Sequence, residues 1–400
     1  MNICFITYRE NNPYIGGIEK TTYILGRELK KRGYGILFLS QINSHSYKKY
    51  EPVCKELFFP DCNIIDSEIN YSFFKETIEH NSIDIIINQY STTKGFNTLC
   101  QLVKQQKANI KIISPLHLDP TYKIKEISEN FFIKEKNGIS LRNWFKELFL
   151  YTYSKVIGSR ETLQIVRGEL AYIENCCDRV VLLSHHTIND IEKIYADYKP
   201  YKYCAIGNPI EYTHAENKVA KKKQILYVGR IEFGLKRFDR ALNIWSKIEK
   251  KFPEWQFVVL GDGGYRQLFE QIAIKRGLKR IKFEGFQDPI PYYKESEIIC
   301  LTSSSEGFAN VLVEAQNYGC APIAFDSYSA LKDIISDGYN GYVIQPFKNT
   351  VFANKVQELI NDPTTRREMQ DNAKRYSEKF DIKLVANQWE KLFKELTEKE

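Results

Sequence analysis

The chain lacks any apolar run approaching the ~20 residues that a spanning helix needs, so a membrane-spanning helix is not expected. It has no C-x2-C spacing. Its nine cysteines are scattered and odd in number, with one adjacent pair, Cys176-Cys177. This argues against a disulfide framework and for reduced, mostly buried thiols in a cytoplasmic protein. The histidines, His185-His186 included, have no partners at ligand spacing, which argues against a structural metal site. A large charge imbalance is also missing: 57 Lys and Arg face 50 Asp and Glu, a dispersed excess of +7. With no RNP, zinc-finger or basic-helix pattern, that excess excludes nucleic acid as a partner and at most favours an anionic surface or substrate. Met1–Glu10 carries neither a cationic leader nor a long apolar stretch and reads as a first strand rather than a signal peptide.

What is present is a long globular chain. Four hundred residues exceed one ordinary core and imply two domains, and 43% apolar with 27% charged residues is a folded composition. Strand-like and helix-like segments alternate. In the first half the strands are expected at 2–7, 35–40, 83–88, 110–114 and 180–184, with a helix over 18–32 that stops at Gly33. Thr213 to Lys223, with four lysines and no apolar cluster, reads as a linker. The second half places strands at 224–228, 256–260, 281–283, 298–301, 322–325 and 342–344, and an amphipathic helix through Phe238, Leu242, Trp245 and Ile248. Alternation of this kind specifies parallel sheets covered on both faces, in an α/β chain of two Rossmann-like, doubly wound halves.

The most informative stretch is Ser303 to Glu314. Two carboxylates, Glu306 and Glu314, stand either side of a turn from a Ser/Gly loop into a helix that begins near Asn310. Ligands of open α/β sheets bind beyond the carboxyl ends of the strands. Two acceptors flanking a helix N-terminus suit a polyhydroxylated ligand that also carries phosphate.

This stretch resembles the E-x7-E signature of the retaining glycosyltransferases of family 4, which have the two-domain GT-B fold. Other segments are similar in the same order: Gly16-Gly17-Ile18-Glu19, Ile206-Gly207-Asn208-Pro209-Ile210, Tyr227-Val228-Gly229-Arg230 followed by Lys236, Gly261-Asp262-Gly263, Phe283-Glu284-Gly285-Phe286 and Asp337-Gly338-Tyr339-Asn340-Gly341. The resemblance implies an acceptor-side domain over 1–212, a linker over 213–223 and a nucleotide-sugar domain over 224–378. It also implies that a last helix, 379–400, crosses back to the first domain and that the two domains face each other across a cleft.

The residue roles follow from that resemblance and from charge. Arg230 and Lys236 would hold the diphosphate, the first as a planar fork and the second as a point charge. Gly16 and Gly17 would let the backbone approach the donor. Glu314 would accept from the ribose hydroxyls and Glu306 from hydroxyls of the transferred sugar. Gly261, Gly285, Phe286, Gly307, Phe308, Ala309 and Asn310 would line the donor site; many relatives have Gly where Ala309 stands. His117, after a buried strand, matches a family position against the donor sugar, and Asp119 is an acceptor-side candidate. Asn208 would fix the hinge backbone.

No second carboxylate presents itself as a nucleophile. The resemblance implies retention by front-face attack, with the departing phosphate taking the acceptor proton and no metal or other cofactor. The segment 121–155 interleaves seven Lys or Arg and four Glu with aromatic residues. That composition suits docking on an anionic membrane face that carries a lipid-linked acceptor. The expectation is a cytoplasmic glycosyltransferase, peripheral at the membrane, acting on a nucleotide sugar and a glycan acceptor in surface polysaccharide synthesis. Two rivals share the pattern: a nucleotide-sugar epimerase on the same fold, and a non-catalytic nucleotide-sugar-binding partner of a synthase complex. The second has no reason to keep Arg230, Lys236, Glu306 and Glu314 together.

Overall fold

The computed structural model describes residues 1–43, 50–124, 159–214 and 219–398. The basic, aromatic segment 121–155 lies outside them from residue 125 onward. The chain forms two compact units. The first consists of Met1–Thr121, Arg160–Glu211 and Phe380–Glu400; Tyr212–Lys379 belongs to the second.

The first unit holds a seven-stranded sheet: β1 (Asn2–Arg9), β2 (Gly35–Ile42), β3 (Glu56–Phe58), β4 (Ile85–Asn88), β5 (Lys111–Leu116), β6 (Arg179–Leu182) and β7 (Tyr203–Ala205). Its order is β3-β2-β1-β4-β5-β6-β7, and every neighbouring pair is parallel. Ile3, Cys4, Phe5 and Ile6 are all fully buried, as are Ile85, Ile86 and Ile87. Continuous burial without alternation marks strands covered on both faces. The three-residue strands β3 and β7 lie at the sheet edges and carry half-exposed residues, so their weak patterning had left them unexpected.

The helix Gly17–Lys31 follows β1. It ends with Gly33 at φ +92°, where the Tyr34 N–H reaches the Leu29 carbonyl at 3.1 Å and closes the last turn. The chain's last helix, Ile382–Thr397, also belongs to this unit. Its Val385, Trp389, Leu392 and Phe393 share a core with Ile24, Leu25 and Leu29. Arg32 ties the two helices together, donating to Glu390 Oε2 at 2.6 Å, Asn387 Oδ1 at 2.6 Å and the Lys383 carbonyl at 2.8 Å.

The second unit holds a six-stranded sheet: β8 (Lys222–Val228), β9 (Gln256–Leu260), β10 (Ile281–Gly285), β11 (Ser296–Leu301), β12 (Ala321–Phe325) and β13 (Tyr342–Ile344). The order is β10-β9-β8-β11-β12-β13, again parallel throughout. Lys222 and Lys223, read as linker from composition, already belong to β8. One face is packed by Trp245, Trp255, Phe257, Phe238 and Phe269, with Trp245 stacked on Phe257 at 5.7 Å. In each sheet the order reverses once, at β1/β4 and at β8/β11, and these are the points where ligands enter doubly wound sheets. Among the described residues no helix is long and apolar enough to cross a membrane.

Candidate active site

In the second unit the functional candidates gather where β8 and β11 end. Tyr227, at the end of β8, is buried, and its phenol donates to the Arg230 carbonyl at 3.1 Å. Burial pushes that phenol well above its usual range, so it stays a donor. The next turn brings in Lys236, whose Nζ lies 2.6 Å from Glu306 Oε1 in the loop after β11. The same carboxylate oxygen accepts from Ser303 Oγ at 2.6 Å. The two loops are sewn together by backbone: the Ser304 N–H donates to the Leu235 carbonyl at 2.8 Å and the Thr302 hydroxyl to the Arg237 carbonyl at 3.1 Å. Arg237 opens the helix Phe238–Trp245 at φ +46° and is held there by its bond to Asp239 Oδ1 at 2.9 Å. The turn that presents Lys236 is thus locked on both sides.

Arg230 behaves differently. Its side chain is 66% exposed and its contact with Glu232 Oε1 is 3.5 Å. The pairing of Lys236 with Glu306 and the solvent-facing pose of Arg230 separate two residues that the sequence assigned to the same diphosphate. Glu232, which also accepts from the Lys236 N–H at 3.3 Å, was missed, because a single Glu inside a loop carries no sequence signal.

After Glu306, the helix Asn310–Asn317 begins, with Ala309 as its N-cap residue making no side-chain cap. Ser303, Ser304, Ser305, Phe308 and Ala309 are buried, and Glu306, Gly307, Asn310 and Glu314 are half-buried. Glu314, one turn into the helix, accepts from the Tyr293 phenol at 3.2 Å. Tyr293 also escaped the sequence reading, since nothing in its segment distinguishes it from a core aromatic.

The glycines at the neighbouring strand ends have backbone reasons of their own. Gly261 sits at φ +129°, and a Cβ there would lie 2.0 Å from the Gly229 carbonyl oxygen. A Cβ on Gly263 would lie 2.5 Å from the Ile231 carbonyl oxygen. These two positions let the loops after β8 and β9 touch backbone to backbone. Gly285, at φ +73°, accepts from the Gly261 N–H at 2.7 Å, and Phe286 beside it is 63% exposed.

In the first unit the corresponding strand ends carry Gly16, Gly17, Glu19, Gln89, Tyr90, His117 and Asp119. Glu19 folds back over Gly16, where a Cβ would meet its Oε2 at 2.5 Å, and its other oxygen accepts from the Tyr90 phenol at 2.8 Å. A side chain at Gly16 would push the buried Glu19 carboxylate aside. His117, half-buried after β5, pairs its Nε2 with Gln89 Oε1 at 2.6 Å. Burial lowers the imidazole to about 4, so it is neutral in ordinary buffers. Asp119 is buried and accepts from the Thr121 N–H at 2.8 Å and hydroxyl at 2.6 Å, a turn-forming role. Among the described residues no group of three or more His, Cys, Asp or Glu side chains gathers as a metal set would.

Residues 210–376 match the model of the family described as glycosyl transferases group 1. An uncharacterized glycosyltransferase of Haemophilus influenzae is 23% identical over 386 residues, 94% of this chain and 95% of that one. The amylovoran biosynthesis glycosyltransferase AmsD of Erwinia amylovora is 28% identical over 239 residues, 56% of this chain but only 64% of its own length. Among solved structures, Anabaena HepE in complex with UDP and glucose superposes with a TM-score of 0.71 at 15% identity, covering 99% of this chain and 100% of that one. The fold is that of the GT-B proteins.

Proposed function

We propose that this chain, whose residues 210–376 form a group 1 glycosyltransferase domain, is a retaining enzyme using a nucleoside-diphosphate sugar. The donor is UDP-linked, the transferred group a hexose or N-acetylhexosamine, and the acceptor a glycan or lipid-linked glycan of a surface polysaccharide. UDP in the Anabaena structure and the amylovoran role of the Erwinia relative support those assignments. The observation that carries the reading is the Lys236–Glu306 pair, 2.6 Å apart at the β8/β11 switch point, with Glu314 on the helix that follows.

Cleavage of the anomeric C–O bond leaves a diphosphate whose charge grows in the transition state, and fixed cations aimed at it are the strongest available help. Lys236 supplies that charge from a locked turn, and Arg230 adds its fork. No metal is proposed for this step. Ser303 and Lys236 hold Glu306 to receive sugar hydroxyls, and Glu314 receives the ribose. His117 of the first unit, being neutral, can hydrogen-bond a hydroxyl without adding a charge. In the transfer, the acceptor oxygen attacks the anomeric carbon from the face the phosphate leaves, and the acceptor proton passes to the departing phosphate. The segment 121–155, read from composition, is the proposed contact with an anionic membrane.

A panel of nucleotide sugars scored for slow donor hydrolysis without acceptor, followed by NMR of the transferred product, tests this. UDP-sugar hydrolysis and a retained anomeric configuration are expected. An inverted linkage, loss of activity on chelation, or an epimerised nucleotide sugar as product would overturn it.

A further inference from the structure

Gln89 and His117 meet where β4 and β5, neighbours in the first unit's sheet, come to their ends. Gln89 directly follows β4 and is 5% exposed, and its backbone N–H continues the sheet pairing by donating to the Ile6 carbonyl at 3.1 Å. The turn around it is built from buried side-chain bonds. Asn88 Nδ2 donates to Asn97 Oδ1 at 2.8 Å, Asn97 Nδ2 to the Ser91 carbonyl at 2.6 Å, and Ser91 Oγ to the Pro115 carbonyl at 2.8 Å. The last of these bonds reaches β5 itself, just before His117. A paired, buried polar chain of this kind rigidifies the backbone that carries it. Amide and imidazole are thereby kept opposite each other.

The contact between them, at 2.6 Å, joins Nε2 of the ring to the side-chain carbonyl oxygen of Gln89. An amide oxygen can only accept, so Nε2 carries the proton. The imidazole is lowered to about 4 by burial, is neutral near neutrality and so holds a single ring proton. Nδ1 is then a bare acceptor. A ring in that state bonds a hydroxyl or an amide N–H at Nδ1 and offers nothing there to a phosphate or carboxylate oxygen. The opposite tautomer would reverse the preference.

We propose that Gln89 is a positioning residue that fixes His117 as the Nε2–H tautomer and so makes Nδ1 the acceptor for a sugar hydroxyl. The hydroxyl rests on the reading of His117 given under Proposed function; the tautomer stands on the Gln89 contact. If Gln89 only filled space beside the ring, the ring proton would be indifferent to an apolar replacement of similar length.

The test is long-range proton–nitrogen NMR of the full chain, isotope-labelled at histidine nitrogen and held near neutrality, with the His117 signals identified by their loss in His117→Gln. The wild type should show Nε2 protonated and Nδ1 bare. Gln89→Met, close in size and without an acceptor, should spread the proton over both nitrogens. It should also lower kcat/KM for slow donor hydrolysis about three- to tenfold, the usual weight of one neutral hydrogen bond. Gln89→Asn, whose carbonyl is withdrawn from the ring, should do the same and stands in if Gln89→Met does not accumulate. A proton on Nδ1 in the wild type, or one that stays on Nε2 in the Gln89 variant, overturns the positioning role; the reading under Proposed function survives that result if His117→Gln still slows hydrolysis. If the proton redistributes as expected but neither the Gln89 variant nor His117→Gln slows hydrolysis, the sugar hydroxyl is wrong. If the wild type hydrolyses no nucleotide sugar, the reading under Proposed function fails and takes the sugar hydroxyl with it.

Discussion

Lys236 Nζ stands 2.6 Å from Glu306 Oε1, with 22% of the lysine side chain and 12% of the glutamate side chain exposed. In the proposed reaction a diphosphate would compete with Glu306 for the ammonium, leaving Ser303 Oγ as a donor to the carboxylate. Lys236→Met should lower kcat by about 10²–10³-fold, the usual cost of losing one fixed group aimed at developing charge. Glu306→Gln should also lower kcat. Steady-state kinetics on the hydrolysed donor, with circular dichroism as a folding control, checks both.

Arg230 makes a different prediction because it is anchored weakly. An exposed pair at 3.5 Å contributes about 0–1 kcal/mol, so Arg230→Ala should leave the melting temperature nearly unchanged. It should nevertheless raise the donor KM. Arg230→Lys should not restore it, since an ammonium cannot bridge two phosphate oxygens as the guanidinium fork does.

His117 should leave the pH–rate profile featureless around neutrality, because its imidazole is lowered from 6.5 to about 4 by burial. A lowered folded-state value means that the unfolded chain takes up the proton first as the pH falls. The stability tied to this group is complete above 6.5 and drains away as the pH drops from 6.5 toward about 4. His117→Gln should flatten that part of a plot of melting temperature against pH.

The terminal helix is a structural element of the first unit. Trp389 is 5% exposed within the shared core, so Trp389→Ala should cost about 3–5 kcal/mol by chemical denaturation. Arg32→Ala removes its bonds to Glu28, Glu390, Asn387 and the Lys383 carbonyl, groups that water can reach, and should cost about 0.5–1.5 kcal/mol.

Gly261→Ala should fail for two separate reasons. Its φ of +129° is strained for any L side chain, and the new methyl would sit 2.0 Å from a backbone oxygen that cannot move aside. Loss of donor binding together with a marked fall in melting temperature is expected. Gly277→Ala, with φ +69° and open space around it, is the control that isolates the backbone cost.

How much of this was readable beforehand differs by residue. The central strands were legible because runs such as Ile85-Ile86-Ile87 are buried on both faces and need no alternation to be recognised. The short edge strands β3 and β7 were not, since three residues, most of them half-exposed, carry no periodic signal. Glu306, Glu314, Arg230 and Lys236 were picked out from motif and charge. Their unequal circumstances were not visible, because exposure and ion pairing depend on the loops around them. Lys221 read as one charge among four in a polar linker, whereas the structure gives its ammonium three carbonyl partners. Tyr293 read as an ordinary aromatic.

The amino-acid order alone determined the alternation of strands and helices, the doubly wound class and the short list of chemically able residues, because periodicity and turn chemistry act over a few positions at a time. The fold decided which of those residues meet. Lys236 and Glu306 are separated by 70 positions, with β9, β10 and β11 between them, yet β8 and β11 are neighbours in the sheet. Crossover connections return the chain to lie beside β8 only after β9 and β10 have filled its other side. That arrangement arises from strand pairing over the whole unit, which no local stretch of sequence encodes.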